Sequence, residues 1–358
     1  MAHRPLNLLY ITYRVDPADT LVGYVIGWLR LLAARADSIH VICLHAAPAL
    51  DLPANVHVHS LEKGQGNRLT VWLRFFHTIW SLRRAVNLVF AQFSPEYLLA
   101  AAPFALLFRW PLTLWYTHRH VDFKLRLATA LAACVFTASP ESFRLPTPKK
   151  VILGHGIDTA RFTPADAPPT APLLLAVGRR APIKHYELMI NAVAALAPRY
   201  PDLRLRIVGG DEGSAPPNYA ASLQAHIDAL GLGDVITLVG PRPYADLPAE
   251  YRTAALHLNF CPTGGLDKAV LEAMSAGLPN LVRNTSFAPI FAADSTLCLA
   301  PDADLPTITA ALDALLQLPP AERAALGQRA RHVAVAQFSQ TALIERLSAE
   351  LTALLPEA

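Results

Sequence analysis

Hydrophobic positions in the first half of the chain follow two periods, one typical of strands and one typical of helices. Short apolar runs bounded by turn residues predict five strands, at LNLLYIT, HVICL, LVFAQF, LTLWYT and VFTASP. Helical spacing of apolar side chains predicts helices over residues 23–35 and 68–85. Alternating strands and helices are typical of a parallel sheet with crossover helices.

The helix predicted over residues 68–85 is basic and bears tryptophan. Its apolar stripe comprises Leu69, Trp72, Leu73, Phe76, Ile79 and Trp80. The opposite side carries Thr70, Arg74, His77, Ser81 and Arg84. Such a helix either packs its stripe on its own sheet or lies on an anionic bilayer, and the pattern leaves both interpretations open.

In the second half the pattern restarts after a proline-rich link that follows VILGHGID. The strand candidates there are LLLAVG, LRLRIVGG, VITLVG, ALHLNF and PNLVRN. Helices are predicted over 184–197, 217–230, 245–254 and 267–276, and over 319–355 with a break near QFSQ. The predicted fold class is α/β, with two doubly wound domains at 1–160 and 161–336 and a C-terminal helix at 337–358.

Size and composition favour two folded domains. The chain has 358 residues, of which 53% are hydrophobic and 16% are charged, so disorder is not expected. The four cysteines are far apart and form no CxxC pair, which argues against a zinc site or a disulfide framework. The sequence contains no Walker loop, dinucleotide glycine fingerprint or metal-binding histidine pair, and nucleic acid is not expected as a partner.

Charge is divided unevenly along the chain. Residues 1–165 hold 17 Lys and Arg against 9 Asp and Glu, whereas residues 166–358 hold 14 against 19. This imbalance either has no partner or reflects contact of the first half with an anion, such as a membrane surface, a lipid phosphate or an acidic glycan. Since no secretory signal or membrane-spanning run is present, we expect a cytoplasmic protein, either free or peripheral at the inner face of the membrane.

A first loop with candidate chemistry follows the predicted strand LLLAVG. In open α/β sheets, ligands bind beyond the carboxyl ends of the strands. Gly178, Arg179 and Lys184 stand there at the start of a helix, so the guanidinium and the ammonium could converge on a phosphate. The alternative is a helix start that is simply solvated.

A second candidate loop lies in TGGLDKAVLEAMSAGLP, residues 263–279. Gly264 and Gly265 let backbone N–H groups approach a ligand, and the helix that follows adds partial positive charge, which together predict an anion site. Glu272, in the first turns of this helix, could accept hydrogen bonds from the paired hydroxyls of a ribose. Alternatively, it pairs with Lys268 four residues earlier.

Several motifs of the second half occur together in a known order. They are AVGRRAPIKHYELMINAV, LRIVGGDEG, ITLVGPRPYADLPAEYRTAALHLNFCPT and AVLEAMSAGLP. This half resembles the donor-binding half of retaining, nucleotide-sugar-dependent glycosyltransferases of the family-4 type, whereas the first half matches loosely. The resemblance implies the GT-B fold: two Rossmann-like domains facing a cleft, with the acceptor on 1–160, the donor on 161–336 and the C-terminal helix returning to the first domain.

The resemblance also implies roles by position. Arg179 and Lys184 match the basic pair that neutralises the donor diphosphate, and Glu272 matches the second glutamate of the paired-glutamate motif, which holds the ribose. The first glutamate should stand at position 264, where this chain has glycine. Asp267 or Lys268 takes over its contact to the sugar, or Asp267 is only the N-cap of the helix. The predicted donor-binding residues are Gly178, Gly264, Gly265, Leu266, Asp267, Lys268 and Glu272.

Two positions of the first half are predicted on the acceptor side. WYTHRHVD places His118 after a strand end, and the DTLVG turn places Gly23 before a helix. The resemblance implies that a histidine in this region lies near the transferred sugar, and His118 is the candidate. Alternatively, His118 caps a loop.

The implied function is sugar transfer from a UDP- or GDP-sugar to an acceptor hydroxyl, with retention of anomeric configuration and without a metal or a bound cofactor. The predicted catalytic residues are Arg179, Lys184 and His118. Cell-surface polysaccharide or glycolipid biosynthesis would supply the acceptor, a glycan or a lipid-linked glycan. The alternatives are a sugar-nucleotide epimerase of the same fold and a non-catalytic sugar-nucleotide-binding protein.

Overall fold

The structure is a computed structural model that describes residues 4–19, 22–62, 64, 67–118, 120–211 and 218–356. The chain divides into two compact units. Unit 1 comprises Met1–Gly156 together with Gln340–Ala358, and unit 2 comprises Ile157–Ser339. Each unit is built around its own parallel sheet.

Unit 1 contains a seven-stranded sheet. Its strands are β1 (Asn7–Val15), β2 (Ser38–Ala46), β3 (Val56–Ser60), β4 (Leu88–Gln92), β5 (Leu112–Trp115), β6 (Cys134–Thr137) and β7 (Lys150–Ile152). Its first helices are α1 (Val25–Ala33), α2 (Arg68–Ser81), α3 (Pro95–Phe108) and α4 (Phe123–Leu131). The strand order is β3-β2-β1-β4-β5-β6-β7. Central strands such as β4 are buried throughout, because helices cover both faces of a parallel sheet.

The five strands predicted for this half are confirmed, and β7 lies at the start of the VILGHGID segment before the proline-rich link. The edge strand β3 is one that the pattern missed. Its sequence VHVHS breaks the apolar run with two histidines, His57 exposed and His59 half-buried. His57 is the register partner of His40 on β2, and Nδ1 of His40 lies 3.2 Å from Nε2 of His59. The His40 ring stacks with both of the others. The three imidazoles therefore share one face of the sheet edge.

Helix α2 confirms the predicted helix but not the packing of its apolar stripe. It buries Val71, Phe75 and Ile79 in the same core as α3 and α4, and of these only Ile79 belongs to the predicted stripe. The stripe residues Leu69, Leu73, Phe76 and Trp80 are 64%, 59%, 38% and 49% exposed. The interpretation that the stripe packs on its own sheet holds for Ile79 and for the partly buried Trp72 but is wrong for these four residues. Val71 and Phe75 fill much of that contact instead.

Within its described residues, unit 2 contains a five-stranded sheet and six α-helices. Its strands are β8 (Leu173–Val177), β9 (Arg204–Val208), β10 (Ile236–Gly240), β11 (Leu256–Asn259) and β12 (Asn280–Val282). Its helices are α5 (Tyr186–Leu196), α6 (Tyr219–Ala229), α7 (Leu247–Thr253), α8 (Lys268–Ser275), α9 (Leu305–Gln317) and α10 (Pro320–Phe338). All five predicted strands are confirmed here.

The strand order of unit 2 is β10-β9-β8-β11-β12. The chain runs outward from β8 in one direction to β10 and then returns to place β11 on the other side of β8. The order therefore reverses between β8 and β11, and such a switch point opens a crevice at the carboxyl ends of the two strands. Both loops that the sequence analysis singled out leave the sheet at this point.

The last helix, α11 (Gln340–Ala353), belongs to unit 1 and packs against α1. Nε2 of the buried Gln340 donates to the carbonyl oxygen of Tyr24 at 3.3 Å, and Arg35 forms a 2.7 Å ion pair with Glu345. None of the helices in the described part of the chain combines the length and apolar character needed to cross a membrane.

Candidate functional site

The loop after β8 is held in place by close backbone packing. A Cβ at position 209 would lie 1.8 Å from the carbonyl oxygen of Gly178, so only glycine fits at the end of β9. The hydroxyl of Tyr186, at the start of α5, donates to the same carbonyl at 3.0 Å. These contacts fix the loop that carries Arg179 and Lys184.

Lys184 spans the switch point between the two loops. Its ammonium forms an ion pair with Asp267, which follows β11, and a Cβ built on Gly178 would lie 3.8 Å from its Nζ. Burial lowers the pKa of Lys184, but the Asp267 carboxylate outweighs burial and leaves the pKa above its ordinary value. Arg179 is exposed and close enough for its charge to act against that of Lys184. The structure therefore brings both predicted cations to one edge of the sheet.

Asp267 makes more contacts than the sequence suggested. Its side chain caps α8 by accepting from the Ala269 N–H at 3.2 Å, but capping is not its only contact. Its other oxygen accepts from Lys184 and, at 2.9 Å, from Nδ2 of Asn259. Burial would raise the pKa of Asp267, but Lys184 and these hydrogen bonds hold it well below the usual range. The carboxylate is therefore ionised at neutral pH.

Residues 261–267, here termed the glycine loop, are held in place by hydrogen bonds to their carbonyl groups. Ser286 donates to the carbonyl of Gly264 at 2.9 Å and Asn284 to that of Gly265 at 3.0 Å. Within the described residues, the N–H groups of Gly264, Gly265 and Leu266 have no protein acceptor. These three donors lie directly before the start of α8, where a helix favours an anion.

Gly264 has a backbone conformation that L-residues rarely adopt, with φ of 134°. A glutamate at this position would need a different loop conformation. Glycine at position 264 is therefore matched to the main chain around it.

Glu272 lies on the buried side of α8. It is 5% exposed, and the hydroxyl of Tyr251 donates to its Oε2 at 3.1 Å. Burial raises the pKa of Glu272 and lowers that of Lys268, the half-buried residue one turn earlier, because both would be charged away from water. Glu272 thus combines a raised pKa with a position on the helix that directly follows the free N–H groups of the glycine loop.

The two residues of unit 1 that are predicted on the acceptor side, His118 and Gly23, follow different strands. His118 follows β5 and is exposed, and its Nδ1 accepts from the N–H of His120 at 3.1 Å, as a loop cap would. Gly23 is buried just before α1 and donates to the carbonyl of Asp19 at 3.2 Å. The Thr20 and Leu21 positions of the DTLVG turn lie outside the described residues.

Sequence reasoning missed two residues of β11 that support this site. Asn259, besides contacting Asp267, accepts from the Cys261 N–H at 3.2 Å and so starts the glycine loop. His257 is fully buried, its Nδ1 lies 2.8 Å from Oδ1 of Asn280, and burial lowers its pKa to about 4. The sequence signal that could have identified them is the presence of polar residues in an otherwise apolar strand, ALHLNF.

A separate surface cavity in unit 2 does not coincide with this edge. Its lining includes Pro164, Tyr251, Gly277 and Arg323, at the C-terminal end of α8. None of the predicted donor-binding residues lines it. We place the candidate site at the carboxyl edge, because the ionisable groups and the free N–H groups converge there.

The sequence of unit 2 matches a known family. Residues 159–333, just under half of the chain, match the family model described as glycosyl transferases group 1. Unit 2 thus carries the sequence pattern of these enzymes across β8 to α10, including both loops of the candidate site.

Individual relatives agree with this match. The chain is 30% identical over 154 residues to a D-inositol 3-phosphate glycosyltransferase of Thermobispora bispora, covering 39% of this chain and 35% of that protein. It is also 30% identical over 201 residues to the GDP-mannose-dependent alpha-(1-6)-phosphatidylinositol monomannoside mannosyltransferase of Mycolicibacterium smegmatis, covering 51% of each. The matched region thus spans about a third to a half of the length of these relatives.

A solved structure establishes the fold over nearly the whole chain. HepE of Anabaena, crystallised in complex with UDP, aligns with a TM-score of 0.73 at 16% identity, covering 98% of this chain and all of that one. The predicted fold class is confirmed: two Rossmann-like units of the GT-B type. At this identity the likeness extends to the fold alone.

Proposed function

We propose that this chain is a retaining glycosyltransferase that moves a sugar from a nucleotide-diphosphate sugar to an acceptor hydroxyl. The observation that carries the proposal is the meeting of Lys184 with the glycine loop at the switch point of unit 2. The group 1 family match over this unit and the relatives named as glycosyltransferases support the reaction class. The UDP complex of HepE supports a nucleotide-sugar donor.

In this mechanism the protein acts mainly on the leaving group. The bond between the anomeric carbon and the diphosphate oxygen breaks with its electron pair on the diphosphate. The acceptor oxygen bonds to the same face of the sugar and passes its proton to the departing phosphate. Arg179, Lys184 and the free N–H groups of the glycine loop stabilise the developing negative charge. We expect no metal to be required.

The donor diphosphate competes with Asp267 for Lys184. Because Asp267 already accepts from Lys184, Asn259 and the α8 backbone, we assign it to holding the ammonium in place. We assign the sugar contact of the missing glutamate to Lys268, the next residue along. Gly178, Gly265 and Leu266 contribute backbone contacts to the diphosphate.

Glu272 is assigned to the ribose hydroxyls. Its carboxylate is buried and accepts a hydrogen bond from the Tyr251 hydroxyl. A carboxylate in this position is better suited to accept hydrogen bonds from two uncharged hydroxyl groups than to pair with a solvated cation. His118 and Gly23 are assigned to the acceptor side, which holds a glycan or a lipid-linked glycan of a cell-surface polysaccharide or glycolipid pathway.

A thermal-shift panel with UDP, GDP, ADP and their common sugars tests the donor class. A ligand at 100 times its dissociation constant stabilises the folded chain by about 2.7 kcal/mol, and we expect one nucleotide to do so. A transfer reaction with that donor, followed by proton NMR of the new glycosidic bond, then tests whether the anomeric configuration is retained. The same reaction in the presence of EDTA tests whether a metal is required. If no nucleotide shifts the melting temperature of the folded chain, the proposal fails.

A non-catalytic sugar-nucleotide-binding protein is the second candidate. The observations that favour it are Gly264 in place of a carboxylate and the ion pair that occupies Lys184. Tight nucleotide binding without hydrolysis or transfer would select this candidate. Conversion of the donor alone into a second sugar nucleotide would instead identify an epimerase.

A further inference from the structure

The exposed apolar side chains of the described residues are concentrated on three neighbouring helices of unit 1. Nine of the thirteen large exposed hydrophobic residues lie on α2, α3 and α4. They are Leu69, Leu73, Phe76, Trp80, Leu106, Leu107, Phe123, Leu127 and Leu131. We call the exposed side of these helices the α2–α4 face.

The three helices form one continuous surface. They bury their inner residues in a single core on one side of the sheet. Phe76 and Trp80 of α2 contact Phe104 of α3, with ring centroids 6.1 and 6.5 Å apart, and Trp80 also contacts Phe108 at 6.0 Å. Helix α4 packs along α3 and exposes Phe123, 76% accessible, at its start. Exposed apolar patches of this extent mark interaction sites.

Charge across this face has a single sign. Residues 63–140 contain nine Lys and Arg but only two acids, Glu96 and Asp122. Both acids make contacts within unit 1: Glu96 accepts from the Tyr13 hydroxyl at 2.7 Å, and Asp122 caps α4. The exposed cations with no ion pair within the described part of the chain are Arg68, Arg84, Arg109, Lys124 and Arg126.

Aromatic and basic groups alternate at the edge of the face. The Arg83 guanidinium stacks 4.7 Å from the Trp80 ring centroid, and Arg84 follows in an exposed position. Tryptophan beside arginine suits the boundary between lipid headgroups and acyl chains, where the ring is half-immersed and the cation meets phosphate.

We propose that the α2–α4 face docks on an anionic lipid bilayer. Leucine and aromatic side chains enter the headgroup boundary, and the surrounding cations meet lipid phosphates. A bilayer is the occupant that matches both features, because it presents apolar and anionic groups over an area wide enough for three helices. The proposal does not depend on the donor or on the reaction.

Vesicle flotation of the full chain tests the proposal. We expect binding to phosphatidylcholine vesicles with about a third phosphatidylglycerol, weak binding without the anionic lipid, and weakening by salt. Arg68→Ser/Arg84→Ser should lower the partition coefficient about 25-fold, at roughly fivefold per cation. Arg204→Ser/Arg252→Ser, which removes two exposed arginines of unit 2, is the matched control and should leave it unchanged.

A second pair of variants tests the apolar contribution. Leu69→Ser/Leu73→Ser should abolish most vesicle binding while keeping the melting temperature, since both side chains are mostly exposed. Leu230→Ser, an exposed leucine of unit 2, should bind as the parent does.

Three outcomes would overturn the proposal. They are equal binding to neutral and anionic vesicles, binding that neither pair of variants reduces, and a dimer in sedimentation velocity that Leu69→Ser/Leu73→Ser dissociates without any vesicle binding. The last result would assign the face to a second copy of the chain. Nucleotide binding in the thermal-shift panel can persist in each case, so the proposed function is judged separately.

Discussion

The carboxyl edge of unit 2 and the α2–α4 face of unit 1 place charge in opposite ways. At the unit 2 edge, Lys184, Asp267 and Asn259 are half-buried or buried and bonded to one another. On the α2–α4 face, cations such as Arg84 and Lys124 stand exposed among apolar side chains. Preorganised, partnered charge suits one small ligand in one orientation, whereas dispersed charge suits an extended surface.

Removing a cation from the unit 2 edge should have the largest effect. If Arg179 stabilises the leaving diphosphate, Arg179→Ala should lower kcat by about 100- to 1,000-fold, as loss of one preorganised donor does. The measurement is steady-state kinetics with the donor found in the thermal-shift panel. Arg252→Ala, an exposed arginine of the same unit, should keep parental turnover. Full activity in a folded Arg179→Ala chain would remove the leaving-group role.

The ion pair at the switch point should be visible in stability. Lys184→Met leaves the Asp267 carboxylate without its cation and should lower the free energy of unfolding by about 1–3 kcal/mol, less than for a fully buried pair because both side chains keep some solvent contact. Lys184→Met/Asp267→Asn should recover much of this loss. A urea-denaturation double-mutant cycle measures the coupling, and additive losses would show that the pair is not a unit.

The raised pKa of Glu272 predicts a pH dependence in unit 2. Because burial raises this pKa above its ordinary value, the folded chain binds a proton more tightly than the unfolded chain. Glu272 should therefore contribute a loss of stability as the pH rises from the ordinary glutamate pKa towards neutrality, and Glu272→Gln should remove this contribution while the opposite contribution of His257 remains. At pH 7–8 the variant should gain about 1 kcal/mol without ligand yet bind nucleotide more weakly. Equal slopes for parent and variant in urea unfolding would contradict the assignment.

His40 of unit 1 should contribute to the pH dependence in the opposite direction to Glu272, and more weakly. Burial and the neighbouring His57 and His59 lower the pKa of His40 to about 4. The unfolded chain then binds the proton more tightly, so stability falls as the pH drops from 6.5 towards 4. His40→Gln should reduce this loss by a few tenths of a kcal/mol, since the site is partly solvated. Urea unfolding of the variant and the parent between pH 5 and 7 is the measurement, and an unchanged acid slope would exclude His40.

The strands of unit 2 and the position of both loops could be predicted, because each strand is a short apolar run beside a glycine or proline turn. The Asp267 cap also followed from its place before AVLEAMS. The bond between Asp267 and Lys184 did not, because it joins residues 83 positions apart and depends on which strand lies next to β8.

Packing of α2 shows a second limit of periodicity. Val71 and Phe75 face the core, while Leu73 and Phe76 face solvent, yet both pairs fall within apolar positions of one helix. A helix with two apolar sides gives no sequence signal for which side the sheet will cover. Periodicity also failed to predict β3, because its histidines made an edge strand resemble a polar loop.

The route of the chain through α11 has a consequence for biosynthesis. Unit 1 needs residues 340–353 to cover α1, so it stays incomplete while the ribosome makes all of unit 2. Gly27 on α1, where a Cβ would lie 2.7 Å from Oε1 of Gln340, must wait in the nascent chain for a helix translated more than 300 codons later. Unit 2, which is contiguous, is free to fold first, and the synthesis of α11 then becomes the event that closes the core of unit 1.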